Sequence, residues 1–115
     1  LGLAFKQDTD DIRESPGVDI ARMLMLRGAE VAAYDPAAME NARRELPNIT
    51  YAADPYAAVE GADALLVTTA WNEFKQADLE RVARLMHTPV LLDGRNIYER
   101  CDVEALGFGY AGVGR

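Results

Sequence analysis

The stretch Leu1-Gly2-Leu3-Ala4-Phe5-Lys6-Gln7-Asp8-Thr9-Asp10-Asp11-Ile12-Arg13-Glu14-Ser15-Pro16 decides how this chain of 115 residues folds. It opens with a short apolar run, Leu1 to Phe5, and passes abruptly into a polar loop. Ser15 then offers a side-chain oxygen suited to capping a helix. Pro16 fits the first helical position, where its missing N–H would have no intrahelical partner in any case. Beyond it Ile20, Ala21, Met23 and Leu24 recur at helical spacing, and Gly28 ends the pattern. A buried strand, a loop and a capped helix are therefore predicted in succession.

The same pattern repeats outward from there. Glu30 to Tyr34, ending at Asp35-Pro36, reads as a second strand. Ala64-Leu65-Leu66-Val67-Thr68 stops at Thr69-Ala70-Trp71-Asn72, and Pro89-Val90-Leu91-Leu92 is closed by Asp93-Gly94-Arg95-Asn96. Ile49 to Tyr51 and Phe108 to Val113 are weaker strand signals. Continuous apolar runs of this length suit strands buried on both faces, as in a parallel sheet. Between them, Ala37 to Leu46 forms a helix stopped by Pro47, and Asp54-Pro55 opens a short one that Gly61 closes. Asp78 caps another, with Leu79, Val82, Ala83 and Met86 on one face. The order β-α-β-α-β-α-β-α-β, to which a last short helix and strand can be added, implies right-handed crossovers. The expected fold class is α/β: a Rossmann-like three-layer sandwich with a parallel sheet of about five to six strands. The expected strand order is 3-2-1-4-5, with residues 1–115 forming one domain.

Composition narrows the function. Half the residues are hydrophobic, as a packed core needs, and no apolar run reaches the roughly 18 residues that span a bilayer. The formal charge of -7 opposes a nucleic-acid or membrane-surface role, since phosphate backbones need a broad basic face. One cysteine, Cys101, allows no internal disulfide, and a cytoplasmic location is expected. With no basic region before the apolar start, no signal peptide is read, and the chain is expected to be a fragment of a longer one.

An anionic ligand must therefore find a few cations gathered locally. In open α/β sheets ligands bind beyond the carboxyl ends of the strands, near the point where strand order reverses. Lys6 leaves the end of the first strand, Arg13 lies in the loop before the first helix, and Arg95 leaves the end of the fifth strand. Arginine can hold a phosphate with two parallel hydrogen bonds, lysine acts as a point charge, and the helix starting at Pro16 presents its positive end. The plain alternative is surface ion pairing, Arg13 with Asp10 or Glu14 and Arg95 with Asp93 or Glu99, which contributes little.

The run Gly2 to Pro16 closely resembles the opening of the C-terminal domain of the UDP-glucose/GDP-mannose dehydrogenase family. Gly28-Ala29-Glu30-Val31, Tyr34-Asp35-Pro36, Leu92-Asp93-Gly94-Arg95-Asn96 and the closing Leu106-Gly107-Phe108 through Gly112-Val113-Gly114-Arg115 resemble the same domain in the same order. The resemblance implies an enzyme that oxidises the C6 hydroxyl of a nucleotide sugar to a carboxylate, using two NAD molecules and a cysteine thioester. It implies that Phe5 and Lys6 contact the nucleotide sugar. By the same match Arg13 reaches the NAD pyrophosphate across a domain interface, and Arg95 contacts substrate from a partner subunit of a homo-oligomer. The NAD-binding N-terminal domain, the central helical dimerisation domain and the catalytic cysteine would lie outside this chain, which alone should be inactive. Ala4 and Asp10-Asp11 look more like the UDP-glucose branch; a GDP-mannose or UDP-N-acetyl-hexosamine dehydrogenase is the alternative. A non-catalytic nucleotide-binding or docking module is the alternative outside enzymology.

Several features are decoys. Gly107-Phe108-Gly109-Tyr110-Ala111-Gly112 spells GxGxxG but opens no helix, so it reads as a glycine-rich strand. Cys101 lies in polar Glu99-Arg100-Cys101-Asp102 without a neighbour to activate it, and reads as a surface thiol. His87 ends a helix, where a structural role is expected. With one histidine and one cysteine no metal site is implied. Asn48-Ile49-Thr50 is a glycosylation sequon in spelling only. Asp35 stands where true dinucleotide domains hold a ribose, but the first loop lacks glycines, so Asp35-Pro36 reads as a turn.

Overall fold

The computed structural model describes residues 1–114; Arg115, the last residue of the closing motif, lies outside them. Among the described residues six helices and five strands follow in the order α1 (Pro16–Leu26), β1 (Ala32–Ala33), α2 (Met39–Glu45), β2 (Thr50–Tyr51), α3 (Pro55–Val59), β3 (Leu65–Val67), α4 (Asn72–Lys75), α5 (Leu79–Leu85), β4 (Val90–Asp93), α6 (Arg100–Ala105) and β5 (Gly109–Gly112).

The strands pair in parallel as two sheets, β1-β2 and β3-β4-β5, with Ala32 opposite Thr50, Leu65 opposite Leu91 and Leu91 opposite Tyr110. The expected strand at Leu1 to Phe5 is not a regular one, yet it lies where a first strand belongs. On one side Gly2 N–H donates to Tyr34 O (2.9 Å). On the other, Leu1 nitrogen donates to Leu66 O (2.5 Å) and Thr68 N–H to Leu1 O (2.8 Å). The ladder stops after Gly2 because the Leu3 and Ala4 N–H groups donate to the Asp35 carboxylate rather than to a strand. The lateral sequence is therefore β2, β1, the N-terminal segment, β3, β4, β5, matching the expected 3-2-1-4-5 with β5 added at the far edge.

Helices cover both faces, as right-handed crossovers on either side of the first strand require. One core joins Leu3, Ala4 and Ala33 to Val18 and Ala21 of α1 and Ala42 of α2. The other joins Leu65, Val67 and Leu91 to Val59 of α3, Val82 of α5 and Val103 of α6. Adjacent Ala33 and Tyr34 point into different cores, as side-chain alternation along a strand dictates. Within α1 the buried side is Gly17, Val18 and Ala21, while Met23 is exposed, because helical rotation carries it off that face.

Candidate functional site

Three caps set the helix starts that flank the candidate site. Ser15 Oγ accepts from Val18 N–H (3.3 Å) and donates to Leu3 O (2.7 Å), tying α1 to the N-terminal segment. Asp54 and Asp78 accept from Ala57 and Arg81 N–H. At Gly17 a side chain would meet Gly2 O at 2.3 Å, so glycine there lets helix and segment approach closely.

Phe5 and Lys6 follow the N-terminal segment and are both exposed, Phe5 at 41%. The Lys6 ammonium has no ion-pair partner among the described residues. Arg95 leaves β4 on the same carboxyl edge, in a turn held by Asp93. Asp93 Oδ1 accepts from Arg95 N–H (3.2 Å), and Oδ2 accepts from Tyr98 N–H and Tyr110 O–H (2.9 Å each). The Arg95 guanidinium is exposed and, among the described residues, makes no ion pair with Asp93 or Glu99.

Arg13 differs. Its guanidinium grips Asp11 through Nε (3.0 Å) and Nη2 (2.8 Å), while its side chain stays 88% exposed. The partner is Asp11, not Asp10 or Glu14. The hydrogen bonds from Arg13 hold the Asp11 carboxyl down at about 2 from an ordinary 3.8. An acid lowered on folding favours the folded pair above its ordinary value, and that preference is lost as pH falls from about 4 to about 2.

The residues that order this edge were the less visible ones. Asp35 is fully buried, and its two oxygens accept five N–H bonds, from Leu3, Ala4, Ala37, Ala38 and the Trp71 indole. Thr68 Oγ1 donates to Gly2 O (2.6 Å) and Thr69 Oγ1 to Ala4 O (3.0 Å). Their sequence signal was the Thr-Thr pair closing an apolar run. Tyr34 O–H donates to Glu73 (2.8 Å); burial, then that bond, pushes the phenol up to about 12. No glycine-rich loop follows the first segment, and Asp35 has no oxygen left for a ribose, so these residues do not form a cradle for the body of NAD.

A hollow of about 680 Å³ opens between α1 and the leading ends of β1 and β3, lined by residues such as Ile20, Leu24, Val31 and Leu65. Phe5, Lys6, Arg13 and Arg95 do not line it. It holds no lysine or arginine to meet a diphosphate, so the cationic edge, an open surface, is the better candidate. Gly109–Gly112 is strand β5, not a phosphate loop. Cys101 is an exposed free thiol, and His87 is exposed beside Asp63 (2.8 Å) just beyond α5. Among the described residues no His, Cys, Asp and Glu cluster could hold a metal, and no helix is long and apolar enough to cross a membrane.

Residues 1–100 match the sequence profile of the UDP-glucose/GDP-mannose dehydrogenase family, UDP binding domain. The chain is 48% identical over 115 residues to UDP-glucose 6-dehydrogenase of Rhizobium meliloti, covering 100% of this chain and 26% of that protein. It is 44% identical over 116 residues to UDP-glucose 6-dehydrogenase TuaD of Bacillus subtilis, covering 100% of this chain and 25% of the relative. A solved UDP-glucose dehydrogenase from Pyrobaculum islandicum superposes with a TM-score of 0.79 at 39% identity, over 97% of this chain and 24% of the other. NDP-N-acetyl-D-galactosaminuronic acid dehydrogenase from Methanosarcina mazei does so at 0.84 and 27% identity, over 99% and 23%. The chain thus spans about a quarter of the length of these relatives. A Rossmann-like parallel sheet and a family match over residues 1–100 agree, and the chain belongs to the UDP-glucose/GDP-mannose dehydrogenase family, as its UDP-binding domain.

Proposed function

We propose that this chain holds the nucleotide part of the substrate in an NAD-dependent UDP-glucose 6-dehydrogenase, a cytoplasmic homo-oligomer that converts UDP-glucose to UDP-glucuronate. The observation that carries the reading is the pair of exposed cations, Lys6 and Arg95, left without ion-pair partners among the described residues of a chain with net charge -7. A diphosphate gives both a partner, and Phe5 beside Lys6 offers an apolar ring to the nucleoside or sugar. Arg95 serves from a partner subunit. Arg13, held at its exposed position by Asp11, reaches the NAD pyrophosphate across the domain interface.

The names of the relatives at 48% and 44% identity support glucose over other sugars. NAD is held mainly by an N-terminal domain, and a central helical domain mediates dimerisation. Hydride transfer and the cysteine chemistry belong to those other parts, so this chain alone turns over nothing. What its residues do is bind the nucleotide, orient it and present the sugar to the rest of the enzyme.

The test is a calorimetric titration of the longer enzyme with UDP-glucose, before and after Lys6→Ala. Loss of a hydrogen bond to a charged group, about 1.5 to 3 kcal/mol, should weaken binding roughly ten- to a hundredfold. Unchanged affinity removes Lys6 from the site and with it the main support for this reading.

A further inference from the structure

We infer that Asp35 is a positioning residue for the nucleotide site, fixing through the backbone of Leu3 and Ala4 the turn that presents Phe5 and Lys6. The inference rests on the reading above and deepens it. An acid at the end of this strand reaches a ribose in dinucleotide-binding folds. Here it is turned inward and has a different task.

Asp35 Oδ2 accepts from Leu3 N–H (2.8 Å), Ala4 N–H (3.0 Å) and Trp71 Nε1 (3.0 Å). Oδ1 accepts from Ala37 and Ala38 N–H (2.8 and 2.9 Å), which anchors the carboxylate to the start of the next helical region. From the opposite side Thr69 Oγ1 donates to Ala4 O (3.0 Å). Both peptide groups flanking Ala4 are thus clamped, one face from the end of β1 and the other from the end of β3. The next residue, Phe5, donates its N–H to Asp11 O (2.6 Å), closing the loop that carries Lys6.

This arrangement bears on recognition because lysine is a point charge on a flexible stem and aims only as well as its backbone is held. N–H donors to a carboxylate are roughly twice as strong as neutral pairs, so the clamp is stiff. An amide at position 35 would turn an NH2 group toward donors and leave some of them unpaired. The turn would then loosen while Lys6 itself remained.

Coupling separates this role from a merely structural one. UDP-glucose affinity is measured by calorimetry in the longer enzyme for wild type, Asp35→Asn, Lys6→Ala and the double variant. Asp35→Asn should weaken binding about tenfold alone and about twofold or less once Lys6 is gone, because two groups acting as a unit are not additive. Equal fold-losses in both backgrounds overturn the positioning role while leaving the nucleotide site intact. Wild-type affinity in Lys6→Ala overturns the site and this inference together. Should Asp35→Asn fail to fold, Trp71→Phe carries the same cycle, since it withdraws one donor and keeps a ring. Its expected loss is about threefold alone and none detectable with Lys6→Ala, and additivity there is equally fatal.

Discussion

Arg13 and Arg95 occupy comparable exposed loops, yet one guanidinium is engaged by Asp11 and the other is not. The roles proposed for them set their expected behaviour in the longer enzyme. Arg13→Ala should raise the KM for NAD more than that for UDP-glucose, and Arg95→Ala should do the reverse. Arg95→Lys should rescue poorly, because a lysine cannot reproduce a two-pronged contact with phosphate. Steady-state kinetics with each substrate varied in turn decides it; matching changes in both KM values for both variants would show that the roles are not divided. At this scale the sequence made the residue types legible but not their partners. Asp10, Asp11 and Glu14 all stand within three residues of Arg13 in the chain, and only the loop's path brings Asp11 into its fork. Asp35 read correctly as a turn former, through Ala37 and Ala38, but its bonds to Leu3, Ala4 and Trp71 cross more than thirty residues. No local pattern carries contacts of that kind.

Helix starts were legible because their signals are local. Ser15, Asp54 and Asp78 each cap the helix they precede. Helix α4 has no such mark: Trp71 stands at its N-cap without a side-chain bond, and the element is four residues long. The N-terminal segment was expected to run as a strand to Phe5, and its apolar character could not reveal that Asp35 would capture two of its N–H groups. Ser15 offers a measurable consequence. Ser15→Ala removes a cap worth about 1 kcal/mol and leaves Leu3 O unpaired, for a combined loss of about 2 to 3 kcal/mol in urea unfolding. Gly17→Ala is the subtler case. Alanine improves helix propensity by about 1 kcal/mol. Its methyl group would press on Gly2 O, and overpacking of that kind costs about 1 to 3 kcal/mol. A lower unfolding midpoint is therefore expected; a higher one would show that the helix slides away from the segment without loss.

Across the whole molecule the alternation of elements, the parallel pairing and the lateral order were all readable from apolar runs and short connections. The position of the proposed binding edge followed from topology. What periodicity could not convey is that the sheet is joined along a seam. Between β1-β2 on one side and β3-β4-β5 on the other stand Leu1 and Gly2, held by one backbone bond to Tyr34 and two to Leu66 and Thr68. The apolar cores do not divide cleanly along that line, since Tyr34 at the end of β1 packs with Leu65 and Leu91, and Met39 and Trp71 pack against both cores. With so few backbone bonds on either side, this line is expected to open before the ladders of the sheet interior. Deuterium should therefore enter at the Gly2 and Thr68 amides together, and well before the amides of the central strand β4, which has neighbours on both sides. Protection at Gly2 and Thr68 as long-lived as in β4 would show that this line does not open first. If the seam opens first, the chain can flex about the very residues that lead into Phe5 and Lys6, and a nucleotide bridging the two halves would slow that exchange by closing the hinge.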